Sequence, residues 1–238
     1  MKIWVTRAEP DAARTAKALI AAGHQPLISP LIQVRVLPAD KTLAQALTGV
    51  TAVAFTSANG VRAFAALRPI SDRHLTAFTV GDATARAARE AGFVPVISAE
   101  GDVVALAKRI AAKSDRPTGV VLKAGGLEPA GDLVADLERR GVSARAVAVY
   151  QTAPMAPSAA ALAAIDRQPP GVDAVLIHSP SAGRQLARLL AERPGLPEAL
   201  TVICISKAAA EPLKAFKFAR RAVAQTPDEA AMFARLAP

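Results

Sequence analysis

Two short segments of this chain carry polar side chains where they could do chemistry. In "TAVAFTSANGVRAFAAL" (51–67) an apolar run ends in a turn bearing Ser57 and Asn59, and an alanine-rich stretch follows. "DAVLIHSPSAGRQLARLL" (173–190) repeats the design with His178, Ser179 and Ser181. A buried strand feeding a helix through such a turn makes an anion site. The first N–H groups of a helix lack intrahelical partners, and the helix dipole favours negative charge there. Helix capping alone is the plainer role for Ser57, Asn59, Ser179 and Ser181. Arg7 follows the apolar run "KIWVT". At the carboxyl end of a strand it faces the usual ligand crevice of an open parallel sheet, unless an ion pair holds it. His178 can pair with a carboxylate or be satisfied by a backbone carbonyl.

The bulk composition agrees with an anionic small-molecule ligand. Net charge is +9 over 238 residues, and a basic surface concentrates anions. The basic residues form no run of five or six, and aromatics, only 4% of the chain, are not interleaved with them. Both features argue against nucleic acid as the partner. The single cysteine, Cys204, lies in the apolar run "TVICI"; it is expected to be buried packing and fits a reducing compartment. No apolar stretch approaches the roughly 18–20 residues that span a bilayer. The N-terminus turns polar after five residues, so it reads as a strand and not a signal peptide. A cytoplasmic protein without a membrane partner is the expectation.

The elements that must position these residues alternate in type. Strands are expected at 2–6, 51–56, 76–80, 94–97, 118–122, 173–178 and 201–205, each apolar throughout, as when both sheet faces are covered. Helices are expected at 9–22, 59–67, 82–91, 102–113, 129–140, 158–167, 180–192, 207–216 and 227–236. Such alternation predicts an α/β fold with parallel sheets. Asp82 and Asp102 read as N-caps, Pro180 and Pro227 as first-turn prolines, and Gly23, Gly92 and Gly141 as C-terminal stops.

The repeat extends beyond the serine turns. Residues 3–23 parallel 120–141, 78–92 parallel 202–216, and 100–110 parallel 226–236. The chain reads a-b-c-d twice, so either it is cut into tandem halves or each "a" joins the other copy's b-c-d. "PLIQVRVLP" (30–38) and "RAVAVYQTAP" (145–154) each follow an "a" and look like a paired two-stranded linker. If both cross there, one domain is 1–34 plus 153–238 and the other is 35–152.

In order along the chain, "VTRAEPDA", "PLIQV" (30–34), "AFTSANGVRAF" (54–64), "VGDATA" (80–85), "VAVYQT" (147–152) and "LIHSPSAG" (176–183) resemble the uroporphyrinogen-III synthase family. The resemblance covers essentially the whole chain. It implies two similar parallel-sheet, Rossmann- or flavodoxin-like domains joined by a two-stranded β linker, with the discontinuous division above and an active site in the cleft between them. It implies a cyclising hydro-lyase of haem biosynthesis that needs no metal or organic cofactor. Such an enzyme closes linear hydroxymethylbilane, an octacarboxylate tetrapyrrole, to uroporphyrinogen III with loss of water and inversion of ring D. A monomer suffices for that task.

The resemblance also marks individual residues. Tyr150, the only tyrosine, matches the family's "VYQT" tyrosine, and a phenol can assist loss of the hydroxyl as a proton or hydrogen-bond donor. Thr84 matches a threonine on the cleft side. In the second copy "SKAAA" (206–210) stands where the family commonly has glycine and threonine, so Lys207 is expected to replace a hydroxyl contact with charge. Glu128 departs from the pattern too, and would repel carboxylates if it faced them. The Ser57 half is therefore expected to make the more specific hydroxyl contacts. Two other readings compete. One is a non-catalytic tetrapyrrole- or polyanion-binding relative. The other is a nucleotide-dependent enzyme, although the first strand is not followed by a convincing G-x-G-x-x-G.

Overall fold

The computed structural model describes residues 1–68, 74–112, 116–128 and 131–236. The first half of the chain forms β1 (Lys2–Val5), α1 (Asp11–Ala21), β2 (Gln25–Ile28), β3 (Ile32–Val36), α2 (Lys41–Ala46), β4 (Val50–Phe55), α3 (Ala58–Leu67), β5 (Thr76–Thr79), α4 (Asp82–Glu90), β6 (Val96–Ser98) and α5 (Val103–Ala111). The second half forms β7 (Val120–Gly126), α6 (Leu133–Arg139), β8 (Ala144–Pro154), α7 (Ala159–Ile165), β9 (Ala174–Ile177), α8 (Pro180–Ala191), α9 (Leu196–Ala199), β10 (Thr201–Cys204), α10 (Lys207–Ala210), β11 (Arg220–Val223) and α11 (Glu229–Phe233).

The chain divides into two compact units, Met1–Val34 with Thr152–Pro238, and Arg35–Gln151. The first holds a five-stranded parallel sheet in the order β11-β10-β9-β1-β2. The second sheet has six strands in the order β3-β8-β7-β4-β5-β6, parallel from β8 to β6. Under the sequence repeat, β1 and β2 correspond to β7 and β8, and β9, β10 and β11 correspond to β4, β5 and β6. The two sheets then share one strand order. β3 and β8 each run across the boundary between the units. Leu37 N–H bonds the Val149 carbonyl and Met155 N–H bonds the Leu31 carbonyl, so these two strands are antiparallel.

Each sheet is buried on both faces, which explains strands without polar alternation. In the first unit Trp4, Val175 and Val202 pack toward α7 and α8, while Ile3, Val5, Leu176 and Ile203 face Ala12 and Leu19 of α1 and Met232 of α11. The Trp4 indole N–H donates to the Ser29 carbonyl at 2.8 Å; buried without a partner it would cost about 1–3 kcal/mol. In the second unit Val53, Phe55, Leu122 and Ala124 face α2, α3 and α4, and Ala52, Ala54 and Val121 face α5 and α6.

Several boundaries differ from those the sequence suggests, for physical reasons. Gly81, not Asp82, is the N-cap of α4, and Asp82 sits in the first turn, where its charge suits the dipole. Pro227 precedes α11, which Asp228 caps by accepting from Ala231 N–H. The helix expected over 207–216 stops at Ala210 and tightens into a 3-10 turn (Glu211–Leu213), because Pro212 lacks an N–H and crowds the preceding turn. α6 starts at Leu133 under an Asp132 cap, and Pro129 of the expected helix 129–140 lies outside the described residues, as does Lys113 of 102–113. β7 continues through Gly125 and Gly126, four residues past the expected end. β2 (QPLI) and β11 (RRAV) lack a continuous apolar run, and α2 and α9, of six and four residues, are too short for a helical period. Asp102 and Pro180 hold their expected places, and Gly23, Gly92 and Gly141 end α1, α4 and α6 with φ of 78°, 89° and 71°.

Candidate functional site

Chain direction across each sheet reverses at one point: between β7 and β4 in the second unit, and between β1 and β9 in the first. Ligands of open parallel sheets bind outside the carboxyl ends of the strands at such a switch point. Ser57 and Asn59 follow β4, and Arg7, His178, Ser179 and Ser181 follow β1 and β9, at these points, whereas Thr84 and Lys207 follow the next strands, β5 and β10.

In the second unit, β4 ends in Phe55, which is fully buried and packs edge-on against Phe64 and Phe93 at centroid distances of 5.8 and 5.5 Å. This anchor fixes the turn that follows. Ser57 is extended, at φ −159°, and its Oγ accepts the Gly60 N–H at 3.1 Å as the N-cap of α3. A Cβ at Gly60 would stand 2.9 Å from the Ala124 carbonyl oxygen, so the first turn of α3 lies directly on β7. Tyr150 arrives on β8. Its hydroxyl is 3.1 Å from Ser57 Oγ, and a Cβ at Gly126 would meet its ring at 3.0 Å. The glycine therefore makes room for the phenol. The two hydroxyls hold two protons between them and use one in their mutual bond, leaving one free to donate. Asn59 Oδ1 accepts from Arg62 at 2.6 Å. Thr84 is buried in the first turn of α4, and its N–H bonds the Gly81 carbonyl. Glu128 is exposed beyond β7.

The first unit fills the equivalent place with charge. Arg7 pairs with Asp11 at 3.2 Å and Glu229 at 3.0 Å, and lies 3.4 Å from Thr15 Oγ1. Thr15 donates to the same Glu229 oxygen. His178 lies beneath them with its side chain 4% exposed, its Nε2 3.6 Å from Glu229 and both ring nitrogens without a hydrogen bond. That separation is too long for an ordinary hydrogen bond. Burial pushes the His178 pKa below its usual 6.5. For Glu229, burial opposes ionisation, but His178, Thr15 and Arg7 overcome it and hold the carboxyl at about 2. Ser179 caps α8 by accepting from Ala182 N–H at 3.2 Å. Ser181 Oγ accepts from Arg184 at 3.0 Å and from Thr152 Oγ1 at 3.5 Å. Lys207 is exposed at the start of α10, whose N-cap is Ser206.

The structure thus brings Ser57 and Tyr150 into contact, and Arg7 and His178 into one cluster. Asn59 lies two residues from Ser57 in the turn but bonds Arg62. Thr84, Ser181 and Lys207 are not hydrogen-bonded to Ser57, Tyr150 or Ser179. Glu229 and Gly126 are site residues the sequence did not flag. Glu229 is 222 positions from Arg7, so no local pattern joins them. The Gly125-Gly126 pair ending an apolar run was the available signal for the second. Cys204 is buried, and burial, weakly opposed by Arg221, pushes its thiol up to about 12. Among the described residues no group of three or more His, Cys, Asp or Glu could hold a metal ion, and no helix is long and apolar enough to cross a membrane.

The family model for uroporphyrinogen-III synthase HemD matches residues 13–234. A mutant uroporphyrinogen III synthase from the extremely thermophilic bacterium Thermus thermophilus is 18% identical over 99% of this chain and 97% of that one, with a TM-score of 0.56. Uroporphyrinogen-III synthetase from Helicobacter pylori 26695 is 16% identical over 99% and 97%, with a TM-score of 0.58. At such identities the likeness establishes the fold. No curated protein sequence matches the chain significantly.

Proposed function

The chain belongs to the uroporphyrinogen-III synthase family, and from that premise we propose which of its groups carry the reaction. The enzyme closes linear hydroxymethylbilane to uroporphyrinogen III with loss of water and inversion of ring D, a cyclising lyase step of tetrapyrrole biosynthesis.

The observation that carries the assignment is the Tyr150–Ser57 hydroxyl pair at the N-terminus of α3. The leaving hydroxyl sits on a carbon beside an electron-rich pyrrole, so its departure needs only modest help. With Ser57 donating to the phenol oxygen, the Tyr150 proton is free to reach the departing hydroxyl, which leaves as water. Ser57 and the positive end of α3 stabilise the phenolate so formed. The ring-closing step later releases a proton, which restores the phenol. The larger task is to hold the chain so that ring D closes through its substituted carbon, and that is catalysis by positioning.

We assign substrate carboxylates to the turn of Ser57 and Asn59 and to the turn of Ser179 and Ser181, where helix N–H groups and hydroxyls meet. Asp11 and Glu229 hold and neutralise the Arg7 guanidinium, so Arg7 reaches a substrate carboxylate only by exchanging one of these partners for it. Lys207 is exposed and offers long-range attraction. Thr84, buried at the start of α4, meets substrate only through a small opening of that turn. We further place the enzyme in the cytoplasm, acting as a monomer on a small tetrapyrrole without a nucleic-acid or membrane partner. Incubation with enzymatically made hydroxymethylbilane tests the function directly. Uroporphyrinogen III is the expected product, and formation of isomer I alone, as in an enzyme-free control, would refute it.

A further inference from the structure

β7 carries one residue that its apolar setting does not explain. Lys123 lies between Leu122 and Ala124 in a central strand and is 6% exposed. Burying an amine on a strand is costly unless its donors find partners. Among the described residues Lys123 Nζ makes a single long hydrogen bond, 3.4 Å to the Gly131 carbonyl, although an ammonium has three protons to donate. It opens onto a cavity of about 640 Å³ whose walls include Gly125, Gly126, Leu127, Asp132 and Ala146. Among the described residues Asp132 supplies the only carboxylate on these walls, and its Oδ1 already accepts from Ala135 N–H.

We propose that this cavity is a carboxylate-binding pocket with the Lys123 amine as its anchor. The under-used donors and the empty volume on one side of the amine are what a carboxylate would complete. Burial lowers the Lys123 pKa, with Asp132 opposing; a bound anion restores the charged form. The Lys123 amine and the hydroxyl pair lie on opposite faces of the sheet, with Gly126 bordering both. Leu122 and Ala124 face α3, as does the Tyr150 ring, whereas Val121 and therefore Lys123 point to the α5 and α6 side. The proposal does not rest on the roles given to Tyr150 and Ser57.

Limited amine acetylation of the intact protein, read by peptide mass spectrometry, tests this without a variant. Propionate is expected to slow labelling of Lys123 saturably, by about tenfold, as for a charge-assisted bond made or lost. Sodium chloride at equal ionic strength should not. Lys123→Met and Lys123→Gln should both abolish the propionate-dependent rise in Tm, while Ser57→Ala keeps it. Kinetics with hydroxymethylbilane then separate the sources of the carboxylate. A KM raised about tenfold in the Lys123 variants at constant kcat assigns the pocket to a substrate side chain. An unchanged KM with the propionate response lost assigns it to a free small carboxylate. Labelling that propionate does not alter, together with unchanged KM, overturns the proposal.

Discussion

The centres of the two sheets can be compared residue by residue. Trp4 pairs with Val175 in the first unit as Leu122 pairs with Val53 in the second. Three residues beyond Trp4 and Leu122, Arg7 therefore corresponds to Gly125, and four residues beyond Val175 and Val53, Ser179 corresponds to Ser57. The shared strand order puts a crevice at the same point in both. What fills it differs. In the first unit the chain's own Glu229 occupies the anion-attracting place, bound by Arg7 and Thr15. In the second, two glycines clear the strand end and a phenol settles against a capping serine. The fold sets where chemistry can happen, and residue type decides whether the place is closed by internal charge or left with a hydroxyl to offer.

The strongest way to break the contrast is to remove the room that Gly126 makes. Gly126→Val should displace the Tyr150 ring from Ser57 and cut turnover by about a hundredfold, as misplacement on the order of 1 Å does. Because Gly126 ends its strand, Tm should fall by only a few degrees. Steady-state kinetics beside a melting curve checks this. Loss of Tm in proportion to activity would show that the glycine serves the fold and not the phenol.

Acidification should find the other unit. Glu229 ionises at about 2 in the folded protein against an ordinary 4.5. Its contribution is complete above pH 4.5 and disappears as pH falls toward 2, on the order of 2–3 kcal/mol in all. His178 has its pKa lowered by burial from 6.5, so the unfolded chain takes up its proton first and stability starts to fall below pH 6.5. Both effects have the same sign. Denaturant unfolding across pH should show the decline. His178→Phe should remove its upper part, Glu229→Gln its lower part, and Tyr150→Phe neither. Tyr150→Phe should instead slow kcat about tenfold, a barrier change of about 1.4 kcal/mol. Unchanged kcat would leave Tyr150 a packing residue.

Much of this was legible in the residues, and the gaps have causes. The strands β1, β4, β5, β7, β9 and β10 announced themselves as continuous apolar runs between turn signals. The serine turns were visible because Ser57 and Ser179 do what Ser does before a helix. The meeting of Ser57 with Tyr150, 93 positions apart, follows from strand order and not from any local pattern. The same holds for Arg7 with Glu229. Lys123 did leave a trace, a lone charge inside "VVLKAGG", but the burial that makes it unusual exists only once β7 lies inside the sheet. The helix expected over 207–216 failed because alanine-rich composition outweighed one proline, and the proline decided.

The finest test sets the two capping serines against each other. Ser57 and Ser179 have nearly the same backbone, at φ −159° and −158°, and each accepts from the N–H three residues on. Replaced by alanine, each should therefore cost about 1 kcal/mol of stability, seen as similar shifts in Tm. Their effects on turnover should not match. Ser57→Ala also strips Tyr150 of its hydroxyl partner, leaving the phenol to orient on ring packing alone; kcat should fall about fivefold, or roughly 1 kcal/mol. Ser179→Ala leaves the α8 N–H groups in place and should change KM by no more than about twofold. The two variants thus share a stability cost and differ only in chemistry. Equal losses of kcat would mean that the halves act as matched clamps, and that Tyr150 needs no partner at Ser57.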